Sequence, residues 1–291
     1  MKVKAICPAS CGELLQGWIA GGEKLISYPI DWYSEVTLEA GRACGHHPRH
    51  RKAWRAFYQT CRHYRIPAGE IPPVSLTVRS TIPIAKGMAS STADIAATAA
   101  ATAHLLGFEL TGGDLARICL SLEATDSTIF PTLTLFDHLR GKAMEQSGWA
   151  PSFHVLVLEP LSMLVTEEFR RQGRQALQRK QAPLLEEAYA YYRQALAERS
   201  LRKLGEAATI SAMANQEILP KPCFSAFRKL VETGEVWGVN VAHSGTVVGI
   251  MYDEEVVSGG DLLRRIEEKG ITKAYPRHHF RRAVRGGVTI L

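Results

Sequence analysis

The sequence predicts an α+β chain of two units, and three observations carry that reading. Residues 35–40 (EVTLEA) and 74–79 (VSLTVR) alternate apolar and polar side chains, the period of half-buried strands. An alanine-rich run follows a turn at Gly87 and reads as one long, closely packed helix. Gly, Ser and Pro interrupt the pattern near 141–152, and a buried-type strand (FHVLVL, 153–158) restarts it. The division is therefore expected at 1–150 and 151–291, which suits a chain of 291 residues.

Each element has its own signal. Residues 2–7 (KVKAIC) fit an edge strand, and 51–65 (RKAWRAFYQTCRHYR) a basic, aromatic helix in which Trp54, Phe57, Tyr58 and Tyr64 pack inward. Ser90 or Ser91 is expected to cap the alanine-rich helix, with Asp94 in capping-box spacing, and Gly107 to end it. Thr111-Gly-Gly-Asp114 opens a second helix toward Glu123. Helices at 184–199, 201–218 and 224–232 follow, with Pro220 and Pro222 as breaks. Strands at 236–242 and 247–252 join through Ser244-Gly245, and a last helix lies near 261–268.

Composition narrows the function classes. With 46% hydrophobic and 22% charged residues, a disordered or fibrous chain is excluded. There is no apolar run of about 18 residues and no apolar stretch at the start that would serve as a leader, so a cytoplasmic protein without a membrane partner is expected. The net charge of +6 favours anionic small partners only modestly, and the arginine-bearing surfaces read as solvated faces rather than nucleic-acid sites. The six cysteines form no C-x-x-C pair, so no disulfide framework is expected. His46, His47, His50 and His63 lack disciplined metal-ligand spacing and read as solvated.

The most informative segment is Pro83-Ile-Ala-Lys86-Gly87-Met88-Ala89-Ser90-Ser91-Thr-Ala93. Small residues after Gly87 let backbone amides approach an anion, and the loop runs into a helix N-terminus, where unpaired N–H groups and the dipole favour phosphate. A plainly capped helix remains the alternative. Neither G-x-x-x-x-G-K-[ST] nor G-x-G-x-x-G occurs, which disfavours P-loop and Rossmann readings. Glu123, near the end of its expected helix, carries a charge that is unfavourable there unless a cation is near; otherwise it is a solvated Glu. Asp126 stands three residues on, in Ala-Thr-Asp-Ser, which is also turn-forming.

This segment resembles the second motif of the GHMP kinases, P-x-x-x-G-L-x-S-S-A, matching at Pro83, Gly87, Ser90, Ser91 and, offset by one, Ala93, with Met88 for Leu and Thr92 for Ala. Cys7-Pro-Ala-Ser10-Cys-Gly-Glu13-Leu-Leu-Gln16-Gly17, placed after the opening strand, resembles the first motif, followed by Tyr28-Pro-Ile-Asp31. The segment from Gly238 to Thr246 takes the place of the third motif, with fewer glycines than usual. The wording CPASCGELLQGWI, EATDSTIFPTLTLFDHLRG and AHSGTVVGI is most similar to the branch acting on L-threonine in cobalamin biosynthesis.

The resemblance implies a two-domain fold, with a ribosomal-protein-S5-domain-2-like N-terminal half and a ferredoxin-like C-terminal half. It implies transfer of the γ-phosphoryl group of ATP to L-threonine, giving O-phospho-L-threonine for the aminopropanol phosphate arm of cobalamin synthesis. Pro83, Lys86, Gly87, Met88, Ala89, Ser90 and Ser91 would then hold the nucleotide, with Ser10 near its phosphates. Ser91 and Glu123 would hold Mg²⁺. Asp126 would accept the hydroxyl proton, with Asp137 as fallback. Glu13, Gln16, Ser244 and Thr246 would contact the substrate. Two alternatives stay open: the same chemistry on another small alcohol such as homoserine, and an inactive homologue binding a metabolite or RNA.

Overall fold

The computed structural model describes residues 1–41, 50–164 and 175–291. It opens with a long hairpin, β1 (Lys2–Ile19) and β2 (Gly22–Ala40), paired from Lys2↔Glu39 to Ile19↔Gly22. Its turn residues Ala20 and Gly21 both have positive φ, 47° and 76°, the twist that a two-residue hairpin loop requires. The first-motif segment therefore lies inside β1 rather than after it. Register shifts at Pro8/Ala9, Ser10/Glu13 and Glu13/Leu15 bend the strand there, and bulges of this kind re-aim side chains.

The chain continues through α1 (Arg51–His63), β3 (Val74–Ser80), α2 (Ser90–Leu105), α3 (Gly112–Leu120), β4 (Thr134–Asp137), β5 (Lys142–Gln146) and β6 (His154–Glu159). Next come α4 (Gln175–Lys180), α5 (Ala182–Glu198), α6 (Leu201–Gln216), α7 (Phe224–Glu232), β7 (Gly238–Val241), β8 (Val248–Tyr252), α8 (Gly259–Glu268), β9 (Arg277–Arg282) and β10 (Thr289–Ile290). The described strands form one antiparallel sheet in the order β5-β4-β2-β1-β7-β8-β6-β9, with β3 on β2 and β10 on β1. The division expected near residue 150 would fall between β5 and β6, and one sheet joins the two sides of it through the Glu13↔Val241 pair of β1 and β7. One apolar cluster draws on both halves; a second, with Leu156, Phe227, Ile250, Leu262 and Tyr275, belongs to the C-terminal half.

Helix α2 is buried on nearly every side, with Ala93, Ala96, Ala97, Ala99 and Ala101 fully covered. Alanine permits this because it adds no bulk and costs no side-chain entropy in a helix. The helix packs on β1, β2 and α1. Gly107 (φ 79°) ends it as expected, and Thr111 caps α3 by accepting from the Asp114 N–H at 3.1 Å. Trp54 and Phe57 are buried as expected, Tyr64 stacks on Phe108, and Tyr58 stays exposed. Arg281 stacks over Trp32 at 4.2 Å, so part of the expected solvated face is tied to an aromatic ring. Among the described residues, no helix is long and apolar enough to cross a membrane.

Candidate active site

Three segments far apart in sequence meet at the loop before α2. Ser10 N–H donates to Met88 O (3.2 Å) and Gly12 N–H to Gly87 O (3.1 Å), both from β1. From the β7–β8 turn, Thr246 and Val247 N–H donate to Lys86 O at 2.9 and 3.2 Å. The approach is too close for side chains: a Cβ on Gly87 would stand 2.4 Å from Ala242 Cβ, and one on Gly245 would stand 2.4 Å from Lys86 O. Within the loop Ala85, Gly87 and Ala89 have positive φ (58°, 80°, 55°), and Lys86 and Met88 between them do not. Such alternation turns successive N–H groups toward one side and makes an anion-binding concavity.

Helix α2 begins at Ser90, with Ala89 as its left-handed cap and no side chain capping it. The expected Ser91–Asp94 capping box does not form, because Asp94 accepts from Ser34 Oγ on β2 at 2.5 Å instead. Burial raises Asp94 to about 6; the Ser34 bond opposes this and the Glu123 charge adds to it. The first N–H groups of α2 therefore have no side-chain partner, and Ser91 Oγ is buried with no hydrogen bond. A dipole end with orphaned donors and an unspent hydroxyl suits a phosphate and its counter-ion.

Asp126 sits beside this helix end. Its N–H donates to Thr92 Oγ1 (3.4 Å), Oδ2 accepts from Ser10 Oγ (3.4 Å), and Oδ1 accepts from Thr128 N–H (3.0 Å) in a short 3₁₀ turn. Loss of solvent pushes its pKa up to about 7, the Glu13 charge pushes the same way, and bonds from Thr128, Ser27 and Ser10 oppose both. Asp126 thus forms a turn and stands beside the start of α2 and Ser10. Asp137 forms a turn as well: it accepts from Leu139 and Arg140 N–H at 3.2 and 2.9 Å between β4 and β5.

Glu123 lies past the end of α3 and pairs with Lys52 of α1. Its carboxylate and the unspent Ser91 hydroxyl are hard oxygen donors, and Mg²⁺ commonly takes only one or two such groups from a protein, with phosphates and water completing its shell. These residues fit that ion. Among the described residues no group of three His, Cys, Asp or Glu is placed to hold a metal by itself. His46 and His47 lie outside the described residues; His63 pairs with Asp114 at 3.0 Å.

On the other side of the loop, Glu13 Oε2 accepts from His243 N–H (2.8 Å) and faces its Nδ1 (3.2 Å). His243 Nε2 meets Ser211 Oγ at 2.9 Å, and Gln16 N–H donates to the same hydroxyl at 3.3 Å. Gln16 Oε1 and Asn215 Oδ1 are buried without partners. Ser244 and Thr246 lie in the β7–β8 turn, with Thr246 Oγ1 donating to Ser162 O at 3.3 Å.

Lys86 is placed differently from expectation. Its ammonium donates to the carbonyls of Pro160, Leu161 and Ser162 at 2.5, 3.2 and 2.6 Å and stands 3.7 Å from Glu159. All three donors are used, so this lysine laces the segment after β6 to the loop and has none left for a phosphate. Lys221, His243 and Asn215 are additions that residue patterns did not single out as site groups. The signal available for Lys221 was its place between Pro220 and Pro222, which fix the backbone on both sides.

The family described as GHMP kinases N terminal domain matches residues 51–130, the segment from α1 to the Asp126 turn. An L-threonine kinase of Salmonella typhimurium is 45% identical over 287 residues, covering 98% of this chain and 95% of its own length. One from Citrobacter freundii is 44% identical, covering 98% and 99%. The fold is also that of the Methanococcus jannaschii mevalonate kinase, at a TM-score of 0.70 and 15% identity, covering 98% of each chain. The chain belongs to the GHMP kinase family, in the branch of its L-threonine kinase relatives.

Proposed function

We propose that the protein transfers the γ-phosphoryl group of ATP to the side-chain hydroxyl of L-threonine, yielding O-phospho-L-threonine and ADP. The observation that carries this reading is the meeting of an uncapped helix N-terminus, an unspent buried serine hydroxyl and a carboxylate with a pKa near 7. The threonine kinases of Salmonella and Citrobacter support the choice of acceptor.

The residues divide the work. Backbone N–H groups from Gly87 to Ser91 cradle the triphosphate, where the dipole opposes its charge. Ser91 and Glu123 are the groups that would hold Mg²⁺, which when bound neutralises charge developing on the transferred phosphoryl. Asp126, ionised above its pKa, takes the hydroxyl proton as the threonine oxygen attacks phosphorus and the bond to the ADP oxygen breaks. Ser10 donates to Asp126 and orients it.

Coupled ADP release over L-threonine, L-serine, L-homoserine and no acceptor tests the reading. It expects Mg²⁺-dependent ADP formation with L-threonine as the best acceptor; turnover with homoserine and none with threonine would overturn it. Ser91→Ala and Glu123→Gln are each expected to raise the Mg²⁺ concentration at half-maximal rate by about 10–100-fold, the usual scale for weakened metal support. A titration of rate against Mg²⁺ at fixed ATP reads this directly.

A further inference from the structure

We propose that Lys221 receives the α-carboxylate of the acceptor amino acid, and that the amide oxygens of Gln16 and Asn215, beside the Glu13 carboxylate, receive its α-ammonium. The proposal rests on the reading of the protein as a threonine kinase and assigns the groups that distinguish an amino acid from a plain alcohol.

Lys221 lies between α6 and α7 and is only 6% exposed. Its N–H donates to Gln216 Oε1 at 2.8 Å, so its backbone is held in place as well as flanked by prolines. Its ammonium donates to Gly245 O (3.0 Å) and Leu219 O (3.3 Å). An ammonium carries three donors, so one is unspent. Gly245 abuts Gly87, which puts this charge directly behind the phosphate loop. Burial lowers the Lys221 pKa to about 7 against the opposing Glu13 charge, so an anion beside the ammonium is what would keep it charged. Glu13 is near enough for its charge to act on Lys221, but its Oε2 is engaged by His243, and no carboxylate of the described residues forms an ion pair with Lys221.

The opposite shortfall lies close by. Gln16 Oε1 and Asn215 Oδ1 are buried acceptors without donors, and unpaired buried acceptors are costly. Both belong to the cluster around His243. Asn215 Nδ2 donates to His243 O (3.4 Å), and Gln16 N–H shares Ser211 Oγ with the imidazole. Ser211 and Asn215 are four residues apart on α6, on one face. One spare donor with a positive charge, two spare acceptors and a neighbouring carboxylate are the complement of a zwitterion. Glu13 also acts on Asp126, so the same cluster reaches the carboxylate expected to face the hydroxyl.

Acceptor analogues separate recognition from scaffolding. L-Threoninamide lacks the carboxylate charge and 3-hydroxybutyrate lacks the ammonium; each is read as an acceptor or, if turnover is slow, as a competitive inhibitor. Lys221→Met is expected to raise KM for L-threonine by about 10–100-fold, the range for one charged hydrogen bond, and to leave the constant for L-threoninamide unchanged. Lys221→Arg should restore part of the threonine affinity. Asn215→Leu is expected to weaken L-threonine and L-threoninamide alike and to spare 3-hydroxybutyrate. If Lys221→Met weakens threonine and its amide equally, or Asn215→Leu weakens all three equally, these side chains only brace the β7–β8 turn and the proposal fails. Thermal unfolding confirms that each variant is folded. Wild-type protein inert toward threonine would instead overturn the functional reading beneath.

Discussion

Asp126→Asn is expected to cut turnover with ATP and L-threonine by about 10²–10⁴-fold, the usual contribution of a positioned general base, while making the protein more stable above neutral pH. Both effects come from one cause. Burial and the Glu13 charge disfavour the ionised carboxylate, so the folded state holds a proton up to about pH 7 that an unfolded aspartic acid, with a reference value of 3.8, has already lost. Between those limits the native state binds more protons than the unfolded chain, so stability falls as pH rises through the window. At about 1.4 kcal/mol per tenfold, the ionised group costs on the order of 4 kcal/mol above pH 7. Asparagine keeps the shape without the charge. Thermal unfolding at pH 5 and pH 8 should show the variant's advantage over wild type growing between the two, since the wild type loses stability progressively from about pH 4 to pH 7. In wild type, kcat/KM should climb with pH on an acid limb near 7, because that limb reports the free enzyme's base. Normal turnover in the variant would remove Asp126 from the chemistry.

Gly245→Val is expected to abolish nucleotide binding and to lower the unfolding temperature by several degrees. The added Cβ would stand 2.4 Å from Lys86 O and 2.5 Å from Gly87 Cα, and these are backbone atoms that cannot swing aside. Overpacking of this kind costs about 1–3 kcal/mol, and here relief means pushing the phosphate loop off the β7–β8 turn. Gly87→Ala should behave similarly, because it adds a strained φ of 80° to a 2.4 Å approach to Ala242 Cβ. Gly113→Ala is the control: its nearest neighbour would be Thr111 Oγ1 at 3.9 Å, and its stability should hold or rise slightly. Titration with an ATP analogue followed by fluorescence, beside melting curves, checks all three. Unimpaired nucleotide binding by Gly245→Val would show that the turn and the loop do not act as one unit.

Much of this was legible in residue patterns because the causes are local. The strands at 35–40 and 74–79 show their alternation, Thr111 and Gly107 mark helix ends, and Phe224–Glu232 follows directly after two prolines. The resemblance carried by Pro83 to Ala93 led to the loop that the structure brings against β1 and β7–β8. What pattern reading missed depends on distant partners. The long β1 was hidden because Cys7 to Gly17 is buried on both faces and bulged, which erases the period of two. Strand β9 (RHHFRR) sits at the sheet edge, where its polar side chains imitate a solvated loop. The capping box at Ser91 lost to Ser34, 57 residues earlier in the chain, which claims Asp94. Lys86 is expected at the nucleotide and Lys221 is not singled out, and the burial of both is set by main-chain carbonyls at 160–162 and at Gly245.

The place of the triphosphate decides between phosphoryl transfer at this loop and a different site. A crystal structure of the protein with Mg²⁺, L-threonine and a non-hydrolysable ATP analogue tests this most directly. The expected result is β- and γ-phosphates within hydrogen-bond distance of the amides from Gly87 to Ser91, the cation on Ser91 Oγ and Glu123 with Lys52 released, and the threonine hydroxyl facing Asp126. A nucleotide seated elsewhere, with Ser91 Oγ still unpartnered and Glu123 still paired to Lys52, would contradict it.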